Sequence, residues 1–335
     1  MARGPAAAAG PAGGRRGRRV RRMGSPPFAF ELASASASAS ASASASVSVS
    51  ASASASPSRD FWALDFDGVC CDTEPESSLS GWRAAAQRWP QLFYNPRPDD
   101  KERVLKKMAK LRPIIETGYE NMVLVRLMYE EILASRAREK DTGSRPLTVG
   151  EVMTNWDTLL PSLLQRWDLD RAELVEYFGA VRDAWMEEDL DGWLAPNTMY
   201  PGIVDALNAS PHELYIVTTK QTRFAQALLR AAGCHRFEEE GRIFGLGTGP
   251  KRETLAALAT YASAQGKRLH FIEDRLATLD NIRDKTPDVA AQWDMLLCDW
   301  GYNTPPERQA AEDAPDVRTI SLPKFLGELK HGSPP

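Results

Sequence analysis

The sequence predicts an α/β protein: a parallel sheet with helices on both faces and a block of helices inserted after the first strand. Three observations predict it. Short apolar runs, each closed by a polar or glycine-containing turn, occur at 61–66, 214–218, 243–246, 269–272, 295–298 and, more weakly, 317–322, as expected of buried strands. Apolar residues at helical spacing follow over 222–232, stopping at Gly233, and over 252–264, stopping near Gly266. Strand–helix alternation of this kind builds parallel sheets. Between the first two strands the alternation breaks, and residues 75–195 read as helices at 77–89, 99–110, 117–138, 149–166 and 170–189.

The chain has 335 residues, enough for one large domain or two smaller ones. It is 43% apolar and 26% charged, a globular balance. No run of eighteen apolar residues exists, so no membrane span is expected. The four cysteines, Cys70, Cys71, Cys234 and Cys298, are too few for a disulfide framework and point to a reducing compartment.

The first 58 residues are chain of another kind. Seven arginines fall within residues 3–22, Glu31 is the one acid, and an Ala-Ser tract runs over 33–56. Such a segment buries too little apolar surface to offset chain entropy and is expected to be disordered. Its Arg-rich, Ser-rich, acid-poor makeup is that of an organelle transit peptide, with plastid favoured over mitochondrion by the Ala/Ser content. The leader carries +6 of a total of −4, which leaves −10 on the rest. That acidity argues against a nucleic-acid partner. It does not exclude a small anionic substrate, because a bound metal dominates its local field.

Residues 59–74 and 196–335 are thus expected to form the sheet core, and 75–195 the helical insertion. Trp82, Trp89, Trp156, Trp167, Trp185 and Trp193 are expected to form the insertion's core. Asp141, Gly143 and Pro146 mark a loop near 139–148, and "APNTMYPGI" (195–203) returns the chain to the sheet.

The first strand ends on Asp65 and Asp67. Residues i and i+2 of a strand point to the same side, about 7 Å apart. The carboxyl ends of strands in an open α/β sheet form the ligand crevice, and Gly68 permits a turn there. One carboxylate can attack an electrophile while the other moves protons. The next strand ends in "LYIVTTKQT", where the Thr218 or Thr219 hydroxyl can donate to a phosphoryl oxygen. Lys251 opens a helix after "GLGTGP", whose glycines match neither GxGxxG nor a P-loop. "LHFIEDRLATLDNI" places Glu273 and Asp274 at another strand end.

Taken in order, "DFDGVCCDT", "LYIVTTKQT", "GLGTGPKRETL" and "LHFIEDRLATLDNI" resemble the four motifs of the haloacid dehalogenase-like hydrolase superfamily. The helical insertion resembles its C1 cap, and the resemblance covers residues 59–330. It implies a Rossmann-like core, Asp65 as nucleophile, Asp67 as acid and base, and Thr218 with Lys251 holding the phosphoryl oxygens. Gly68 and Thr219 join the phosphate-binding set. It implies Mg²⁺ on the Asp65 carboxylate, the Asp67 carbonyl and Asp274, with Glu273 a further candidate.

Several positions depart from the pattern. Thr278 stands where a second aspartate is common, with Asp280 two residues on, and Lys-Arg replaces Lys-Pro at 251–252. Lys220 is placed outside the motif. Dehalogenases need no acid at the position of Asp67 and transport ATPases carry Thr, so the resemblance implies a phosphatase of the phosphoglycolate phosphatase-like branch acting on a small phosphorylated metabolite. A sugar phosphomutase, or a binding module that kept the fold, are the alternatives. Cys70 and Cys71 read as small buried residues, with a redox-sensitive gate as the other reading. Asp72, Thr73 and Glu74 stand where the cap begins. The histidines show no metal spacing. "WGYNTPPER" (300–308) reads as structural, with Asn303 or Thr304 capping a helix.

Residues 1–58 fused to a fluorescent protein are expected to accumulate in plastids of transfected leaf cells. Diffuse cytosolic fluorescence would contradict the transit-peptide reading.

Overall fold

The strand that ends on the paired aspartates lies in the middle of the sheet. In a computed structural model, residues 60–138, 145–263 and 265–332 are described. The arginine-rich leader lies outside them. So does most of the expected loop at 139–148, of which residues 145–148 are described and form no regular element.

The chain opens with β1 (Phe61–Leu64), β2 (Cys71–Asp72), α1 (Glu74–Arg88), α2 (Asp100–Leu111) and a 3₁₀ turn at Arg112–Ile114. Next come α3 (Glu120–Arg138), α4 (Val149–Arg166), α5 (Arg171–Glu188), α6 (Leu190–Leu194) and β3 (Thr198–Met199). Then follow α7 (Ile203–Ala209), β4 (Glu213–Val217), α8 (Thr222–Ala231), β5 (Ile243–Phe244) and α9 (Lys251–Ser263). β6 (Leu269–Glu273), α10 (Leu276–Lys285), α11 (Pro287–Ala290) and β7 (Asp294–Cys298) precede α12 (Pro305–Asp313), β8 (Val317–Ile320) and α13 (Leu322–His331).

Six strands form a parallel sheet in the order β5-β4-β1-β6-β7-β8. From β1 the chain builds outward through β4 and β5, then returns to lay β6, β7 and β8 on the other side. This is a Rossmann-like order, and its reversal point at β1 is where such sheets hold ligands. The strands are apolar on both faces. Trp62 and Leu64 join Ile216, Ile272, Phe224 and Phe325 on one side. Phe61 and Ala63 join Val217, Phe271, Leu255 and Leu279 on the other. Period-two alternation with both sides buried is the signature of a sheet covered by helices.

Register then places the polar strand ends. Leu64 lies opposite both Ile216 and Ile272, and the Asp65 N–H donates to the Ile272 carbonyl at 2.9 Å. Asp65 therefore leaves the sheet level with Val217 and Glu273, one step before Thr218 and Asp274.

Helices α1 to α5 have a separate apolar core, which includes Trp82, Met108, Val123, Tyr129, Trp156 and Phe178. Trp89 and Trp167 pack at its margin, with the Arg126 guanidinium over both rings at 4.6 and 3.9 Å. Trp185 and Trp193 differ from expectation, because they belong to the sheet's core. The end of α5 and the whole of α6 descend to the sheet, where Trp193 meets Phe224 at 5.9 Å between ring centres. β2 and β3 also went unforeseen. They pair antiparallel, Cys71 opposite Met199 and Asp72 opposite Thr198, and two residues apiece leave no periodic signal. Among the described residues, no helix is long and apolar enough to cross a membrane.

One buried ion pair ties these parts together. Glu76 of α1 accepts from Arg182 of α5 at 2.8 and 2.7 Å, from Trp193 Nε1 at 3.0 Å and from the Ser80 hydroxyl at 2.6 Å. Glu76 is fully buried and Arg182 is 4% exposed. Removing one partner leaves the other charged and desolvated, a cost of about 3–5 kcal/mol. Glu76→Ala is therefore expected to lower unfolding free energy by roughly that amount in urea titrations; a loss below about 1 kcal/mol would contradict it.

Candidate active site

Asp65, Asp67, Thr218, Lys251, Glu273 and Asp274 line one cleft of about 530 Å³ at the carboxyl ends of β1, β4 and β6. Each arrives there by the register just described, except Lys251, which the loop after β5 delivers at the start of α9. A larger pocket of about 660 Å³ lies at the opposite end of the strands. Its charged groups are paired among themselves and their neighbours, as in Arg318 with Asp294 at 2.8 Å and Arg268 with Asp60 at 3.0 Å.

In the cleft the acids surround one ammonium. Lys251 Nζ is 3.0 Å from Asp65 Oδ1 and 2.6 Å from Glu273 Oε2. Burial raises Asp65 to about 6; Lys251 opposes the rise, while Glu273 and Asp67 add to it. Burial raises Glu273 to about 7, again against Lys251 and reinforced by Asp274. Asp274 is raised by burial and by Asp65. Burial would lower Lys251, but Asp65 and Glu273 outweigh it and hold the ammonium charged.

The Asp65, Glu273 and Asp274 carboxylates offer oxygens that all lie within 4.8 Å of one another. Three buried acids facing one ammonium lack a positive charge, and an all-oxygen donor set suits a hard divalent cation. The residues present therefore fit such an ion.

Asp67 has a different environment. Its Oδ1 accepts from the Thr73 hydroxyl at 2.7 Å and from Lys220 Nζ at 3.1 Å. Burial would raise it, but Lys220, then Arg112 and the Thr73 hydroxyl, hold it below the usual carboxylate range. Lys220 was placed outside the motif from sequence. The structure adds that its side chain is 1% exposed and ends on Asp67. Arg112 also went unforeseen. Its guanidinium enters the cleft from the helical layer, stacks 3.9 Å from the Tyr302 ring, and leaves Nε buried without a hydrogen-bond partner. A lone arginine before a proline carries no motif, so no sequence signal singled it out.

Thr218 is 4% exposed, and its Oγ1 accepts from the Lys220 N–H at 3.1 Å, which leaves its own proton to donate. The Thr219 hydroxyl is committed elsewhere, to the Glu116 carbonyl at 2.9 Å, so of the two hydroxyls Thr218 is the one left to donate into the cleft. Thr278 and Arg252 line the cleft, whereas Asp280 pairs with Arg283 at 2.9 Å.

Two readings left open for the loops are resolved. Thr304, not Asn303, caps α12, in a capping box with Glu307. The Asn303 amide instead donates to the Asp274 and Cys298 carbonyls at 2.8 and 2.7 Å, joining two strand ends. Cys70 and Cys71 are fully buried, and burial pushes both thiols up. A redox sensor needs an exposed thiolate, so the gate reading fails.

Gly68 explains the close fit around Asp274. Its φ is +80°, and a β-carbon there would lie 2.1 Å from Asp274 Oδ2. The same oxygen accepts from the Tyr302 N–H at 2.9 Å.

No protein-family profile matches the chain, and no curated protein does. Solved structures do resemble it. A "predicted phosphatase" from Clostridium acetobutylicum is 13% identical, covering 81% of this chain and 97% of its own at a TM-score of 0.45. A "predicted phosphoglycolate phosphatase" from Haemophilus somnus is 17% identical, with 80% and 97% covered at 0.45. A haloacid dehalogenase-like family hydrolase from Streptococcus pneumoniae is 17% identical, with 80% and 97% covered at 0.44. With so few residues shared, chemistry is read from this chain's own side chains.

Gly68→Ala is expected to destabilise the fold by at least about 1 kcal/mol through the left-handed backbone. It is also expected to weaken Mn²⁺ binding, measured by calorimetry, by displacing Asp274. Wild-type Mn²⁺ affinity in the variant would refute the close-fit argument.

Proposed function

We propose that the chain is a haloacid dehalogenase-like phosphatase that hydrolyses a small phosphomonoester with Mg²⁺ as cofactor. The observation that carries this is a buried strand-tip carboxylate, Asp65, 3.0 Å from a charged lysine, in one cleft with Asp67, Thr218 and Asp274. The Asp65 and Asp274 carboxylates and the Asp67 carbonyl would hold the ion, which neutralises charge on the phosphoryl oxygens when bound. Glu273 is engaged by Lys251 and serves to fix it.

The chain's own residues supply the rest. An Asp65 oxygen attacks phosphorus, the bond to the leaving oxygen breaks, and Asp67 gives that oxygen its proton. Water then attacks the aspartyl-phosphate. Asp67 takes the water's proton, the Asp65 oxygen–phosphorus bond breaks, and phosphate leaves. Lys220, Arg112 and Thr73 keep Asp67 a carboxylate in the free site, the base form of the second half. A phosphoryl dianion beside it shifts that balance toward the acid form needed in the first half. Thr218 and Lys251 hold the transferring oxygens. Arg112, with an unpartnered Nε, offers a contact for the remainder of the substrate. The Arg-rich leader directs the enzyme to the plastid.

Purified protein lacking residues 1–58 is expected to release phosphate from members of a phosphometabolite panel in the presence of Mg²⁺. Chelation by EDTA and Asp65→Asn should each reduce release to background. Interconversion of sugar phosphates without release would identify a phosphomutase instead. No turnover of any phosphoester, with Asp65→Asn changing nothing, would leave a binding module.

A further inference from the structure

Helix α1 begins without a cap of its own. Thr73 occupies the N-cap position but makes no side-chain capping bond, although threonine there ordinarily accepts from a first-turn N–H. Its hydroxyl donates to Asp67 Oδ1 at 2.7 Å. The N–H groups of Thr73 and Glu74 donate to the far end of the chain, to Tyr302 Oη at 2.7 and 2.9 Å, and the Glu74 N–H is shared with Asp72 Oδ1 at 3.2 Å. The same phenol donates to Asp72 Oδ1 at 2.6 Å. A phenol has one proton and two lone pairs, and all three are used within residues 72–74. Tyr302 is held in turn by its own N–H on Asp274 and by the Arg112 guanidinium over its ring.

We propose that Tyr302 is a positioning residue for the reaction, which fixes Asp67 by pinning the backbone of residues 72–74 and with it the Thr73 hydroxyl that holds that carboxylate. The proposal rests on the phosphoryl-transfer reading above. Without the phenol oxygen, the Thr73 N–H loses its partner, the Glu74 N–H keeps only the longer bond to Asp72 Oδ1 at 3.2 Å, and residues 72–74 lose their tie to Tyr302. The Thr73 hydroxyl then loses its fixed position beside Asp67. The ring of phenylalanine still carries Arg112, and the main-chain bond to Asp274 is untouched. The effect therefore falls on proton transfer rather than on the cation site.

The test is a double-mutant cycle with Tyr302→Phe and Thr73→Val on the best substrate of the panel. Each single change is expected to lower kcat about 10- to 100-fold, the scale of a misplaced catalytic group, with KM and Mn²⁺ affinity by calorimetry within about threefold. The double variant should lose little more than either single one, because both act through one hydroxyl. Amide exchange gives a readout independent of turnover. Tyr302→Phe should speed exchange at Thr73 and Glu74 at least tenfold, and Thr73→Val should leave it unchanged. Losses in kcat that multiply, or unaltered exchange in Tyr302→Phe, would overturn the proposal. A lower melting temperature with unchanged kcat would likewise reduce Tyr302 to a structural role. If the wild type hydrolyses nothing, the phosphoryl-transfer reading fails, and with it the catalytic half of this proposal; the exchange arm then decides the pinning half alone.

Discussion

Negative charge gathered at the tips of three neighbouring strands governs the architecture around it. Asp65, Glu273 and Asp274 are all buried, and Lys251 is ion-paired with the first two. Carboxylates in that situation resist ionisation, as the upward shifts of all three record. Such a cluster at the sheet's reversal point would be relieved by a further positive charge. The start of α10, directly after Asp274 and Arg275, adds the partial positive charge of a helix N-terminus. Asp67 is handled in the opposite way, with Lys220 and Arg112 on it. Two carboxylates one residue apart are thereby driven toward different protonation behaviour by their surroundings, which is how a pair of like groups acquires unlike roles.

Much of this was legible in the sequence because it follows from period and order. Strands buried on both faces leave uninterrupted apolar runs, and all six were visible, down to the two-residue β5. The strand-end acids and Thr218 were visible because polar residues closing such runs fall at the carboxyl edge. Lys220, Arg112 and Tyr302 were not, and the reason is physical. Each acts across a long sequence separation: Lys220 on Asp67, 153 residues away, and Tyr302 on Thr73, 229 away. Nothing in the local pattern of an arginine-proline step or an aromatic tail encodes such a contact. Trp185 and Trp193 were misplaced for a related reason. Their helical spacing is correct, but spacing does not say which of two cores a helix end will meet.

The helical layer does more than cover the cleft. It supplies Arg112 to the site and docks on the sheet domain through the Thr219 hydroxyl and the Glu116 carbonyl. It is also anchored at its base by Glu76, Arg182 and Trp193, which join α1, α5 and α6 in one buried polar cluster. Such a cluster is costly to break and specific in geometry, so it sets the angle at which the layer rises from the sheet.

The short antiparallel pairing of Cys71 with Met199 and Asp72 with Thr198 has an evolutionary corollary. It brings the departure and the return of the chain side by side, so the 125 or so intervening residues leave and rejoin the sheet at one place. The register of β1 with its neighbours is set in the sheet, upstream of that departure. A chain built on this plan can lengthen the inserted block without shifting the strands it leaves.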